Sequence, residues 1–169
     1  MTKKYYLLLY GFLLLSFTVF SQEGKFKALF MYNFTKYLEW PANKQNGDFV
    51  IIVFGKSDIT DELKIIAAKK KVGTQNITVR EVTSLSELAA CHILFVSESQ
   101  SSKLNEIVSK SLKAGTILIT EKPGLAVTFS GINYIIVNGR QSFEINKANL
   151  EKQGVKVNSI LLSLGVVVQ

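Results

Sequence analysis

The chain has a single cysteine, a single histidine and two prolines among its 169 residues. One cysteine excludes an intramolecular disulfide framework and any cysteine-rich zinc or iron–sulfur site. One histidine excludes every centre that needs two, including paired-histidine zinc and the two-histidine facial triad of iron. Acidic residues are also scarce, with 13 Asp+Glu against 20 Lys+Arg for a formal net charge of +7. At 47% hydrophobic and 20% charged, the chain is too apolar to be disordered, and its length fits one packed domain.

Lys3 and Lys4 precede an uncharged, leucine-rich run from Tyr5 to Phe20, followed by Ser21-Gln22-Glu23. A basic start, a short apolar stretch and a small residue at the Val19-Phe20-Ser21 boundary describe a secretory signal peptide cleaved after Ser21. The rival reading is a membrane anchor, which needs about 20 apolar residues. The run here is shorter and is interrupted by Gly11 and Ser16. No cysteine follows it to carry a lipid. The expected product is therefore exported, with no stable membrane insertion, and residues 22–169 form its one domain. Loss of the leader removes Lys3 and Lys4 and no acid, lowering the charge from +7 to +5 over 148 residues. The remaining lysines are dispersed apart from Lys69-Lys70-Lys71, a solvated helix end by its pattern, so nucleic acid is not an expected partner.

Apolar spacing then predicts the elements. Phe26, Leu29, Phe30, Phe34, Tyr37 and Leu38 recur at three and four, predicting a helix from Glu23 to Trp40 that Pro41 stops. Phe49 to Phe54 is an unbroken apolar strand, followed by Gly55, a Ser57/Thr60 cap candidate and a helix over 62–70. Ile77 to Val82, Ile93 to Val96 and Thr116 to Thr120 read as further strands, with a helix marked by Leu104, Ile107, Val108 and Leu112 between the last two. Continuous apolar strands alternating with helices imply a mostly parallel sheet covered on both faces. Toward the C-terminus, Gly124 to Phe129, Tyr134 to Val137 and Ser142 to Ile145 are strand candidates, the last two joined by the hairpin dipeptide Asn138-Gly139. Asn146 caps a short helix closed by Gly154, and Ile160 to Leu164 fits helix or strand. The fold class is α/β, a single domain with a C-terminal antiparallel hairpin.

Catalytic chemistry is hard to assemble from these residues. Gly55-Lys56-Ser57 sits where a phosphate loop would end, but the glycine required five residues earlier is Val50. A weaker anion site at the following helix N-terminus remains a second reading. Cys91 and His92 are adjacent in a strand start and point to opposite faces, which separates a nucleophile from its base; a buried cysteine and a partly exposed histidine are expected instead. No Gly-x-Ser-x-Gly elbow occurs. Glu39, Glu121 and Glu144 are not paired by spacing as acid and base. Tyr37 and Trp40 serve equally well as core closure or as interface anchors. No catalytic residue, cofactor or metal is assigned, and the chain is expected not to be an enzyme.

Four blocks carry a resemblance: Lys27-Ala28 through Tyr32-Asn33-Phe34-Thr35-Lys36-Tyr37-Leu38-Glu39-Trp40-Pro41, Cys91 to Ser97, Ser142-Phe143-Glu144-Ile145-Asn146, and Gly154 to Leu162. In order and spacing over residues 25–165 the chain resembles the YfiR family of small periplasmic proteins. The resemblance implies a non-enzymatic regulator with a compact α/β fold that tends to dimerise. It further implies repression of an inner-membrane signalling protein, a diguanylate cyclase or in other lineages a sensor kinase, through contact with its periplasmic sensor domain. Some relatives carry several cysteines tied to redox state, whereas Cys91 stands alone here. Ser130-Gly131 replaces the usual Gly-Gly, and Ser142 precedes Phe143 where relatives have arginine, with Arg140 two residues earlier. The contacts expected to meet the partner are Arg140, Phe143, Glu144 and Asn146, with Tyr37 and Trp40 second. The alternative reading is a small periplasmic solute- or anion-binding module built on the Gly55 turn.

Overall fold

Six consecutive apolar residues leave a strand no face to turn toward water, so it must lie inside a sheet covered on both sides. Phe49–Phe54 form such a strand, β2, paired in parallel with β4 (Gln75–Val82) on one edge and β5 (Ile93–Val96) on the other. The structure, a computed structural model, describes residues 22–169, so the signal segment expected at 1–21 lies outside the described residues. Parallel pairing continues through β6 (Ile117–Thr120) and β7 (Ile132–Val137), and β8 (Arg140–Ile145) returns antiparallel to β7. Short edge strands β3 (Lys71–Val72) and β10 (Val166–Val167) complete the order β10-β8-β7-β6-β5-β2-β4-β3. A separate two-stranded ribbon joins β1 (Leu38–Glu39) to β9 (Lys156–Val157).

The chain winds from β2 outward to β4, crosses back to β5, and then proceeds the other way through β6 and β7. Because parallel crossovers are right-handed, this reversal puts the connecting helices on opposite faces. Helix α1 (22–34) and α2 (Ile59–Ala67) cover one face, where Ala28, Met31, Phe34, Ile59 and Leu63 pack with Ile51, Val53, Phe95 and Ile119. On the other face, α3 (Leu104–Ser111) and α4 (Leu125–Thr128) meet Ile52, Phe54, Leu94 and Leu118. Helices α5 (Lys147–Lys152) and α6 (Ser159–Leu164) close the C-terminal end. The mostly parallel α/β sheet with its C-terminal hairpin is the architecture the apolar runs imply.

Several local expectations hold in detail. Asn138 and Gly139 both take positive φ, 51° and 73°, the two-residue turn that matches strand twist in a hairpin. Asn146 accepts a hydrogen bond from the Asn149 amide at 3.0 Å to cap α5, which Gly154 terminates at φ 81°. The ambiguous last segment is helical, capped by Asn158 through the Ile160 amide at 2.9 Å.

Three expectations are corrected. The first helix ends at residue 34 rather than at Trp40: Thr35, Lys36 and Tyr37 donate to carbonyls three residues back, and the Thr35 hydroxyl takes the Tyr32 carbonyl at 2.6 Å. That tightening releases Leu38-Glu39 to pair with β9. Gly124 to Phe129 is not a strand. Gly124 turns at φ 83°, and the Phe129 and Ser130 amides both donate to the Leu125 carbonyl, so one helical turn overrides the β preference of Val127, Thr128 and Phe129. Helix α2 starts at Ile59, earlier than the Ser57/Thr60 pair suggested, with Asp58 before it making no side-chain cap.

Candidate functional site

The one histidine and the one cysteine are both committed to the fold. The Val50 amide donates to Nδ1 of His92 at 3.0 Å, so Nε2 carries the proton and donates to the Lys44 carbonyl at 2.7 Å. The ring is buried and stacks on Phe49 with centroids 4.4 Å apart. The partly exposed histidine expected from its strand-mouth position is thus corrected, because the Ala42–Lys44 turn folds over it. Burial lowers its pKa, and the nearby Lys44 charge acts in the same direction against the hydrogen bonds to the ring. The Cys91 thiol is also buried, and desolvation pushes it up to about 11. Neither group is presented to solvent as a nucleophile or a base.

Helix α1 is apolar on two sides. Its inner side, Ala28, Met31 and Phe34, lies in the core. The stripe read from spacing contains Phe26 and Leu29, which are 44% and 46% exposed, so the buried face is rotated away from the expected one. Two features fix that rotation. The Tyr134 hydroxyl donates to the Lys27 carbonyl at 2.6 Å, and Lys27 Nζ bridges Glu23 at 2.6 Å and Glu121 at 2.7 Å. Gly24 also lies against Asp58, where a Cβ would come within 2.8 Å of the carboxyl carbon. Glu23 is held below its ordinary pKa mainly by its bond to Lys27.

The outward side of α1 faces the β7–β8 hairpin across a groove. Near the turn, a hollow of about 480 Å³ is lined by Phe26, Phe30, Ile136, Gly139, Arg140 and Gln141. Farther along, one of about 330 Å³ is lined by Phe30, Phe34, Tyr37, Gln141, Phe143, Leu161 and Leu164. Phe30 and Gln141 belong to both, so the two hollows form one apolar groove. Arg140 stands exposed at its mouth.

A second, larger concavity opens where the winding reverses. Past the carboxyl ends of β2, β5 and β6, a cleft of about 1020 Å³ is lined by the turns after β2 and β5, by Lys27, Glu121 and Pro123, and by Tyr134 to Ile136. Open α/β sheets place ligands at this reversal. Gly55 at φ 94° lets the β2 turn approach Ser97, whose hydroxyl donates to the Phe54 carbonyl at 3.2 Å. Four carboxylates, Glu23, Asp58, Glu98 and Glu121, face two ammonium groups, Lys27 and Lys56.

The residues expected to contact a partner are split by the fold. Arg140, Phe143 and Tyr37 line the groove, with Phe143 buried as its floor, 4.7 Å from Phe34 between ring centroids. Alternation along β8 turns Glu144 to the opposite face, where it accepts from Asn133 Nδ2 at 2.9 Å. Asn146 is buried and spent on capping α5 and on the Ala126 carbonyl at 3.0 Å. Trp40 is buried edge-on against Phe49 at 4.9 Å. Phe143, Asn146 and Trp40 therefore hold the fold, leaving Arg140, Tyr37 and Glu144 with accessible surface. Sequence reasoning missed the outward role of Phe26 and Leu29 and the participation of Ile136, which is 59% exposed. The signal was present: Ala28 and Met31 add a second apolar side to a helix already striped by Phe26, Leu29 and Phe30.

Among the described residues no helix is long and apolar enough to cross a membrane. No curated protein matches the chain. Residues 24–166, nearly the whole described domain, match the family described as YfiR/HmsC-like, and the chain belongs to that family.

Proposed function

We propose that the chain is an exported, non-catalytic regulator in the periplasm that represses an inner-membrane signalling protein by binding its periplasmic sensor domain. A diguanylate cyclase is the favoured target class and a sensor kinase the other. The observation that carries the reading is the groove between α1 and the β7–β8 hairpin, lined near the turn by the exposed Phe26 and Ile136, with Leu29 also exposed on α1. Large apolar side chains clustered on the surface mark protein contact sites. Membership of the YfiR/HmsC-like family supports the compartment and the signalling role, as does the signal-peptide pattern of the sequence over residues 1–21. The structural commitment of His92 and Cys91 supports a regulator that works by contact rather than by chemistry.

The test is cellular. Deleting the chain should raise the output of an inner-membrane signalling protein of its host, measured as cellular cyclic-di-GMP for a cyclase. Wild-type protein supplied in trans should restore the low level. A Phe26→Asp/Leu29→Asp variant exported to the same level should not. Unchanged output on deletion would sink the proposal.

A further inference from the structure

We propose that the lysine-rich end of the α1–α2 layer docks on an anionic phospholipid surface, the periplasmic leaflet of the inner membrane that an exported chain meets. The face is separate from the docking groove, and the inference takes only the compartment from the repressor reading.

Charge is segregated along this layer. Helices α1 and α2 run side by side in the same direction. Gly24 lies against Asp58 at their starts, and the Tyr32 hydroxyl donates to the Lys71 carbonyl at 3.4 Å beyond their ends. Glu23, Asp58, Asp61 and Glu62 stand at the starts. Residues 24–38 and 63–80 then contain no Asp or Glu. At the far end, Lys36 Nζ lies 5.0 Å from the centre of the Tyr32 ring. The Lys69 and Lys70 amides both donate to the Ile66 carbonyl, in the turn that leads to Lys71 in β3. Lys36, Lys69, Lys70 and Lys71 are all exposed, and no acid of the described residues bridges them, whereas Lys64 just before them is paired with Asp61.

The dipole of α2 favours a lysine at its end, and Lys71 guards an edge strand. Neither effect calls for four ammonium groups at one end of a layer without an acid. Their mutual repulsion is relieved by a surface of phosphates, which attracts each nearby lysine separately. The other complement would be an acidic protein. Protein interfaces are poor in lysine and rich in arginine, whose planar fork pairs with fixed carboxylates. Both arginines of the chain, Arg80 in β4 and Arg140 in β8, lie in other elements. A lysine is a mobile point charge, which suits headgroups that hold no fixed positions. The same end also carries apolar surface. Tyr32 combines an apolar ring with a polar tip, a pairing that recurs where lipid meets water. Ile65, one turn before Lys69, is 51% exposed. Lysines beside exposed apolar side chains let a protein lie on a bilayer without spanning it.

Sedimentation of the purified mature protein with phosphatidylcholine vesicles, with and without about one third phosphatidylglycerol, tests this. The protein should pellet with the anionic vesicles and not with the neutral ones, and binding should fall as salt rises. Lys69→Gln/Lys70→Gln/Lys71→Gln should weaken it at least about tenfold. Lys56→Gln/Lys103→Gln/Lys122→Gln removes the same charge at the opposite end of the sheet, after β2, β5 and β6, and should weaken it no more than about twofold. All six side chains are exposed, so both variants should melt as the wild type does. The proposal is overturned if the anionic vesicles bind no better than the neutral ones, or if the two folded variants weaken equally. It is equally overturned if inorganic phosphate displaces the protein more than chloride does at matched ionic strength. Binding to poly-glutamate without binding to the vesicles would assign the face to an acidic protein and overturn it too. The vesicles contain no protein, so the outcome leaves the repressor role to its own test.

Discussion

His92 shows how a residue that looks reactive in a sequence becomes structural. Its ring is neutral because the Val50 amide and the Lys44 carbonyl define one donor and one acceptor nitrogen, and a buried imidazolium would have to break the first of these bonds. The folded pKa lies below the ordinary imidazole value of 6.5, so between the two values the unfolded chain binds a proton that the native one does not. Stability is therefore full above about pH 6.5 and falls as the pH drops below it. Thermal melts from pH 8 to 5 should show that decline in wild type and a shallower one in His92→Phe. The variant should also be less stable at pH 8 by about 2 kcal/mol, because both backbone partners lose their bonds. Cys91 makes a parallel case. With its thiol buried and raised to about 11, it should resist a thiol-reactive chromophore in the native protein and react with it, one equivalent per chain, in urea. Rapid native labelling would show that the thiol is accessible after all.

At the scale of elements, α1 depends on a few polar anchors as much as on its apolar face. Lys27 holds Glu23 on its own helix and Glu121 at the end of β6, so it ties the first helix to the sheet. Removing it leaves the largely buried Glu121 without its cation, beside the more exposed Glu23. Lys27→Met should cost about 3 kcal/mol, and adding Glu121→Gln should recover part of that loss, which urea unfolding of both variants measures. Gly24→Ala should also destabilise, by about 1–3 kcal/mol, since the new methyl meets Asp58 at 2.8 Å and its backbone carbonyl carbon at 3.0 Å. Much of the fold was legible because it rests on local pattern: the unbroken run Phe49–Phe54, the Asn138-Gly139 turn and the Asn146 cap each state their own geometry. What was illegible depended on distant partners. The rotation of α1 is set by Tyr134, Glu121 and Asp58, none of them near it in sequence. The turn at Leu125–Thr128 is a compact link from β6 to β7 that residue preference alone opposes. The burial of His92 comes from the Ala42–Lys44 turn.

At the scale of the whole molecule, two concave surfaces lie on the same end of the domain and share Glu23, Ile136 and Gln141. The groove is apolar with Arg140 at its mouth, and the cleft is acidic at the reversal of the winding. Of the contacts foreseen from sequence, Arg140, Phe143 and Tyr37 converge on the groove, whereas Glu144, Asn146 and Trp40 do not, because strand alternation and capping direct them elsewhere. A regulator that acts by contact must keep its binding energy in a few outward apolar side chains. Phe26 and Leu29 are the clearest such residues here, exposed without any core partner to lose. The most direct measurement is the affinity of the purified protein for the isolated periplasmic sensor domains of the host's inner-membrane diguanylate cyclases and sensor kinases. Wild type should bind saturably, and Phe26→Asp/Leu29→Asp, with an unchanged melting curve, should bind at least about tenfold more weakly. No binding by wild type, or equal binding by the two proteins, would contradict the account.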